Sequence, residues 1–185
     1  MGELTHIDLP YEEKGIVPSR EQRLHRGMSW FPGDTLNFSI GQGDLLVTPL
    51  QVLRLMSLVA NEGKDVQPHV IKTIGDKPVE GFKIELKVHV DPEIFKTIKH
   101  ALRLTVSDET GTAHTLDIKG LNISGKTGTA QSAKNKSSHA WFVGYTEGAQ
   151  KDIVFCVFLE YGGSSLNACL LARDLLTKMR EEHIL

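Results

Sequence analysis

Apolar positions recur at helical spacing in three stretches of the chain and at strand spacing in the segment between the last two. Val52, Leu55, Met56 and Val59 predict a largely buried helix with Thr48 as N-cap and Pro49 at the first helical position, stopped by Asn61 and Gly63. Asp91-Pro92 opens a second helix ending near Ser107, whose stripe of Ile94, Phe95, Ile98, Ala101, Leu102 and Thr105 implies packing against a sheet. Three strands are predicted at Leu121–Ala130, His139–Tyr145 and Ile153–Tyr161, joined by polar loops short enough for an antiparallel meander. The last of these is apolar on both faces, which places it inside a sheet. A closing helix from Ser165 to about Glu182 buries Leu166, Cys169, Leu170, Ala172, Leu176 and Met179. The pattern is that of an α+β fold, an antiparallel sheet flanked by helices.

Two stretches lack a strong period. Pro10, Pro18, Pro32 and many charges make residues 1–47 an irregular arm that wraps the domain of residues 48–185, with one short helix near Ser19 to Arg26. Residues 64–90 alternate β-branched runs such as Val70–Ile74 with Gly75, Pro78 and Gly81, which predicts short strands and turns.

Composition narrows the function classes. A chain of 185 residues with 40% hydrophobic content is long and apolar enough for a packed core. A formal net charge of -2 with both signs mixed along the chain gives no electrostatic basis for a nucleic-acid partner or an anionic membrane surface. No run of 18 apolar residues and no basic-then-apolar start is present, so neither a membrane span nor a signal peptide is expected within these residues. Cys156 in an apolar strand and Cys169 in a helical stripe read as buried small hydrophobes. His69, His89, His100, His114 and His139 are scattered without H-E-x-x-H or C-x-x-C spacing, so no metal and no cofactor are implied.

The chemistry concentrates at residues 125–130, Gly-Lys-Thr-Gly-Thr-Ala, and admits two readings. Gly120 to Thr127 satisfies the spacing of a phosphate-binding P-loop, but that site needs a strand before Gly120 and a helix from Lys126. Thr-Gly-Thr-Ala followed by a Ser, Asn and Lys-rich loop is a poor helix start. The other reading keeps the segment extended at a sheet edge, with Lys126 and the hydroxyls of Thr127 and Thr129 facing a cleft. Gly125 and Gly128, without Cβ atoms, would let a ligand backbone approach. A peptide could then add as a further strand, its carboxylate held by the hydroxyls and by the potential of Lys126.

Lys126-Thr127-Gly128 resembles the third signature of the serine penicillin-recognising enzymes. Trp30–Thr35, Ser39-Ile-Gly-Gln-Gly43, Val47-Thr-Pro-Leu-Gln51, Gly111-Thr-Ala113 and His139–Tyr145 are similar, in order, to segments of class B penicillin-binding proteins of the elongation type. The resemblance covers most of the chain from Gly15 onward. It implies a β-lactamase/transpeptidase-like fold present as an incomplete C-terminal portion, with residues 121–161 as the third to fifth strands of the central sheet. It also implies site roles: Lys126 as catalytic group and carboxylate attractor, Thr127, Gly128 and Thr129 as substrate-binding residues, and the Thr129 backbone N–H as an oxyanion donor. The implied reaction is serine D,D-transpeptidation of peptidoglycan stem peptides, trapped by β-lactam antibiotics, without cofactor.

The same resemblance exposes a gap, because no S-x-x-K occurs anywhere in the 185 residues. The nucleophile serine and its activating lysine must stand within hydrogen-bond reach of each other, so the chain alone is expected to be inactive. Ser165-Leu-Asn167 imitates the second signature but falls after the Lys-Thr-Gly segment and reads as a helix N-cap. Ser124 shares a strand face with Lys126 yet has no adjacent base. The implied partners are the missing N-terminal half of the transpeptidase domain and cell-wall elongation membrane proteins. Without that half, the strand Ile153–Tyr161 is expected to be an exposed apolar edge prone to pairing. The implied location is periplasmic or extracytoplasmic, with an inner-membrane anchor outside this chain. A non-catalytic module binding peptidoglycan peptides or β-lactams, and a P-loop nucleotide-binding protein, stand as the alternatives.

Overall fold

The structure is a computed structural model that describes residues 1–79, 84–88, 90–132, 135–148 and 151–185, with side chains undescribed for 84–87. His89 and Gly81 of the sequence reading lie outside the described residues. In chain order the elements are α1 (Arg20–His25), α2 (Pro32–Ser39), α3 (Pro49–Ala60), β1 (Lys64–Val66), β2 (Thr73–Ile74), β3 (Lys77–Pro78), β4 (Ile84–Lys87), α4 (Pro92–Ser107), β5 (Asn122–Ala130), β6 (His139–Glu147), β7 (Val154–Leu159) and α5 (Ser165–Glu181). A 3-10 turn at His114–Leu116 joins α4 to β5.

The sheet that matters is the antiparallel meander β5-β6-β7, with Lys126 opposite Val143, Thr127 opposite Phe142, and Phe142 opposite Val157. Strand alternation sorts it into two faces. Ile123, Ala140, Phe142, Phe155 and Val157 form the core with Ala168, Cys169, Ala172 and Leu176 of α5, closed at one side by Val106 and Leu116. The other face carries Tyr145, Val143 and Trp141; α4 crosses it at β5, and α3 packs on β6 and β7. The result is a three-layer α/β/α arrangement.

Capping set the helix starts where the sequence placed them. Thr48 Oγ1 accepts from Gln51 N–H while Gln51 Oε1 accepts from Thr48 N–H, a reciprocal box around Pro49. Asp91 caps α4 by accepting from Glu93 N–H. The cap of α5 is Ser164 rather than Ser165, because it is the Ser164 hydroxyl that accepts from Leu166 N–H.

Several expectations are corrected. The arm holds a second helix, α2, started by Pro32 and capped through Asp34 Oδ2, which accepts from Phe31 N–H. α3 is only half-buried, with Gln51 and Met56 inward and Leu55 outward. Gln51 is inside because its Nε2 donates to Glu3 O and Lys14 O, both at 2.8 Å, which pins the arm to the helix. In α4, Ile94 and Ile98 are exposed, and the inward line runs through Phe95, Lys99, Leu102, Arg103 and Val106. Lys99 and Arg103 lay their stems on the sheet and send their heads to Glu147 (2.7 Å) and to Ile123 O (2.7 Å). α5 likewise leaves Leu166 and Leu170 outside and buries Ala168 instead. The central strand is β6, and among the described residues β7 has no partner on its outer side, so the apolar strand is an edge, as expected of this chain without the missing half. Both cysteines are free, and burial pushes each thiol up to about 11.

Lys99 makes a pH-dependent tie. Burial alone would lower its ammonium pKa, but the hydrogen bond and charge of Glu147, with Glu62 at 3.3 Å, raise it above the usual lysine value. A raised folded-state pKa stabilises the fold fully below the unfolded lysine value and is lost as pH rises through the folded one. Urea unfolding is therefore expected to show stability falling above about pH 10.5 more steeply for the native chain than for Lys99→Met. Equal slopes for both would refute this.

Candidate active site

The site is the outer edge of β5. Within one strand residue, N–H and C=O point to the same side, so alternate residues serve β6 and the open edge. Lys126 Nζ donates to Thr127 O at 3.0 Å, and Gln42 Nε2 donates to Thr129 O at 3.1 Å, which shows that Thr127 and Thr129 turn their backbone groups outward. Both N–H groups therefore face the open edge. The strand runs through Lys126 without a break, and no helix begins there, so the P-loop reading is overturned.

Side chains sort by the same alternation. Lys126 and Gly128 rise on the face of Trp141 and Val143, over a groove of about 500 Å³ between the sheet and residues 40–47. Leu45, Leu46, Val47 and Val52 make its other apolar wall, and the Trp141 and Phe158 rings, 4.2 Å apart, make its floor. Thr127 and Thr129 lie on the opposite face, so their hydroxyls reach the groove only around the open edge of β5. Thr127 Oγ1 meets Thr112 Oγ1 at 2.9 Å. Thr112 is placed there by Gly111, where a Cβ would stand 2.3 Å from Thr105 O; no other residue fits.

Lys126 is exposed, and among the described residues its ammonium nears the Thr127 hydroxyl at 3.4 Å besides Thr127 O. Among the described residues no carboxylate lies within ion-pair distance of it. A positive charge beside outward N–H groups suits an anionic, strand-like ligand. Gly125 is required by packing: a Cβ there would lie 2.5 Å from Phe142 Cζ and 2.6 Å from Val143 O.

The two serine decoys fall elsewhere. Ser124 is buried beneath α4, away from the groove, and Ser165–Asn167 forms the first turn of α5, where Asn167 Nδ2 donates to Gly162 O at 2.7 Å. Two groups at the site were not singled out from the residues themselves, Thr112 and Gln42. Both lie inside segments marked by resemblance, Gly111–Ala113 and Ser39–Gly43, which was their only signal.

A family profile described as the penicillin binding protein transpeptidase domain matches residues 1–176. The chain belongs to that family. Its relatives include the peptidoglycan D,D-transpeptidases MrdA of Acinetobacter baumannii and Haemophilus influenzae. Both are 30% identical to it, over 94% and 93% of this chain and 28% and 30% of theirs. Similar solved structures include penicillin-binding protein 2 of Helicobacter pylori in complex with MreC, with a TM-score of 0.83 at 30% identity over all of this chain and 34% of that one. Pseudomonas aeruginosa penicillin-binding protein 2 in complex with WCK 5153 follows at 0.79 and 32% identity, over 93% of this chain and 39% of that one. The chain thus spans between 28% and 39% of the length of these relatives, and its mixed helical and antiparallel-sheet fold is that of their transpeptidase domain.

Proposed function

We propose that this chain is the C-terminal part of a peptidoglycan D,D-transpeptidase, supplying one wall of an acyl-transfer site whose serine nucleophile comes from an S-x-x-K segment outside these residues. The observation that carries the reading is the open edge of β5, where outward Thr127 and Thr129 backbone groups stand beside Lys126, whose charge has no carboxylate partner among the described residues. A D-Ala-D-Ala stem peptide would add antiparallel to β5 with its carboxylate end toward Lys126 and Thr127. The scissile carbonyl oxygen would then receive the Thr129 N–H. The serine attacks that carbonyl, the tetrahedral oxyanion collapses, and the terminal D-alanine leaves as the protonated amine. An amine of a neighbouring stem peptide then takes the acyl group and regenerates the serine. β-Lactams stop the cycle at the acyl-enzyme. Lys126 contributes attraction for the carboxylate and a route for protons, and one oxyanion donor of this kind is worth on the order of a hundredfold or more in rate.

The reaction belongs outside the cytoplasm, where peptidoglycan is crosslinked, and the Helicobacter pylori relative's complex with MreC suggests an elongation membrane protein as partner. The apolar groove beside Lys126 and the unpaired β7 edge are the surfaces the absent half would cover.

The test is intact-mass analysis after incubation with a β-lactam, on this chain alone and on the chain mixed with the S-x-x-K half of a class B homologue. An adduct on the added half, in the mixture only, is the expected result. An adduct on this chain alone would mean that one of its own serines is the nucleophile. No adduct in either, together with reversible peptide binding by the chain, would favour a binding module.

A further inference from the structure

The outer edge of β5 does not stay open along its whole length. Gln42 Nε2 donates to Thr129 O at 3.1 Å, and Gln131 N–H donates to Gln42 Oε1 at 3.2 Å. The carbonyl of one strand residue and the N–H two residues later point to the same side, so these are the two groups a neighbouring strand would engage next after Thr129 N–H. One side-chain amide, carrying a donor and an acceptor, fills both.

The amide is held in place. Gln42 is half-buried, and its own N–H donates to Asn37 O at 2.9 Å. The loop after it is tied back by Arg23, which donates to Asp44 and Ser29 O and pairs with Asp34 at 2.9 Å, while its guanidinium lies 5.6 Å over the Trp30 ring. α1, α2 and the loop therefore present Gln42 to β5 as one unit, 87 residues away in sequence from the carbonyl it binds.

We propose that Gln42 closes the outer edge of β5 beyond the Thr129 N–H and so competes with an added peptide for that edge. The ligand half of this inference rests on the strand-addition reading of the site. In a hydrogen-bonded antiparallel pair two opposed residues exchange both N–H···O bonds, so the acyl residue whose carbonyl takes the Thr129 N–H has its own N–H aimed at Thr129 O, which Gln42 already fills. The ligand makes that second bond only by displacing the Gln42 amide. Gln42 is thus a group that a strand-like ligand must displace to pair fully at its acyl end.

Two measurements on the 185-residue chain decide this. In amide exchange, Gln131 N–H is expected to exchange more slowly than Thr127 N–H, and Gln42→Ala is expected to speed it by about three- to tenfold, the range of one lost hydrogen bond. Amides of α5 should not change. Gln42→Glu keeps the acceptor and should leave Gln131 protected, which separates loss of this bond from general loosening of the arm. Unchanged Gln131 exchange in Gln42→Ala overturns the closure. The second measurement is calorimetric binding of acetyl-Lys-D-Ala-D-Ala, whose penultimate D-alanine carries both a carbonyl for Thr129 N–H and an N–H for Thr129 O. Gln42→Ala should bind it about three- to tenfold more tightly than the native chain does. Equal or weaker binding by Gln42→Ala overturns the ligand half. If neither protein binds the peptide, the strand-addition reading fails and takes the ligand half with it, while the exchange contrast still establishes the closed edge.

Discussion

Replacing Lys126 by alanine is expected to slow β-lactam acylation of the reassembled transpeptidase by about a hundredfold or more, the usual scale for losing a group that moves protons or stabilises charge at a reacting centre. The expectation starts from the charge being free. Lys126 is exposed, and among the described residues its ammonium hydrogen-bonds within Thr127 and has no carboxylate partner. Its ammonium is therefore available to a ligand carboxylate and is not neutralised by the fold. The same exposure means that little stability depends on it, so the unfolding free energy of Lys126→Ala from urea titration should stay within about 0.5 kcal/mol of the native value. Lys126→Arg should recover part of the rate, since it keeps the charge but replaces a point ammonium with a planar fork of different hydrogen-bond geometry. Acylation followed by intact mass over time gives the rate constants. A loss below about threefold in Lys126→Ala would remove this residue from the catalytic group.

How much of this was legible in the sequence depends on the range of the forces involved. Local chemistry read well: the caps at Thr48 and Asp91 and the extents of α3, α4 and the three long strands follow from neighbours in sequence, and the structure moves their ends by a residue or two. The burial of individual positions read poorly wherever a polar side chain found a distant partner. Lys99 and Arg103 face inward because Glu147 and Ile123 O wait there, and no periodicity in α4 announces those partners. Ile94 and Ile98 are displaced outward as a consequence. The arm hid α2 for a similar reason: its start depends on Asp34 folding back on Phe31, a local signal outweighed by the surrounding charge and proline. Of the site, Lys126 and its flanking residues were visible as a motif, whereas Gln42 joins the edge of β5 across 87 residues and could be found only in three dimensions.

Phe142→Ala carries the largest expected cost in stability, about 3–5 kcal/mol. Phe142 is fully buried at the centre of β6, opposite Thr127 on one side and Val157 on the other, with the Phe155 ring 5.7 Å away. Its ring occupies the space left by two glycines, since a Cβ at Gly125 would lie 2.5 Å from Phe142 Cζ and one at Gly144 would lie 2.9 Å from Cε1. Those glycines have no side chains with which to refill the void, so the cavity cannot collapse from the β5 side, and incomplete collapse is what pushes such substitutions toward the upper end of the range. Domain stabilities run to about 5–15 kcal/mol, so the change removes a large part of the whole. The loss should also be local in consequence. β5 is an edge strand held by β6 alone on its inner side, and Gly125 rests on the missing ring directly beside Lys126. Amide exchange of Lys126 and Gly128 should therefore accelerate more than that of α5 at urea concentrations well below the midpoint. Urea titration by circular dichroism gives the global figure; a shift below about 1 kcal/mol, or acceleration spread evenly over β5 and α5, would show that the ring does not support the edge on which the site is built.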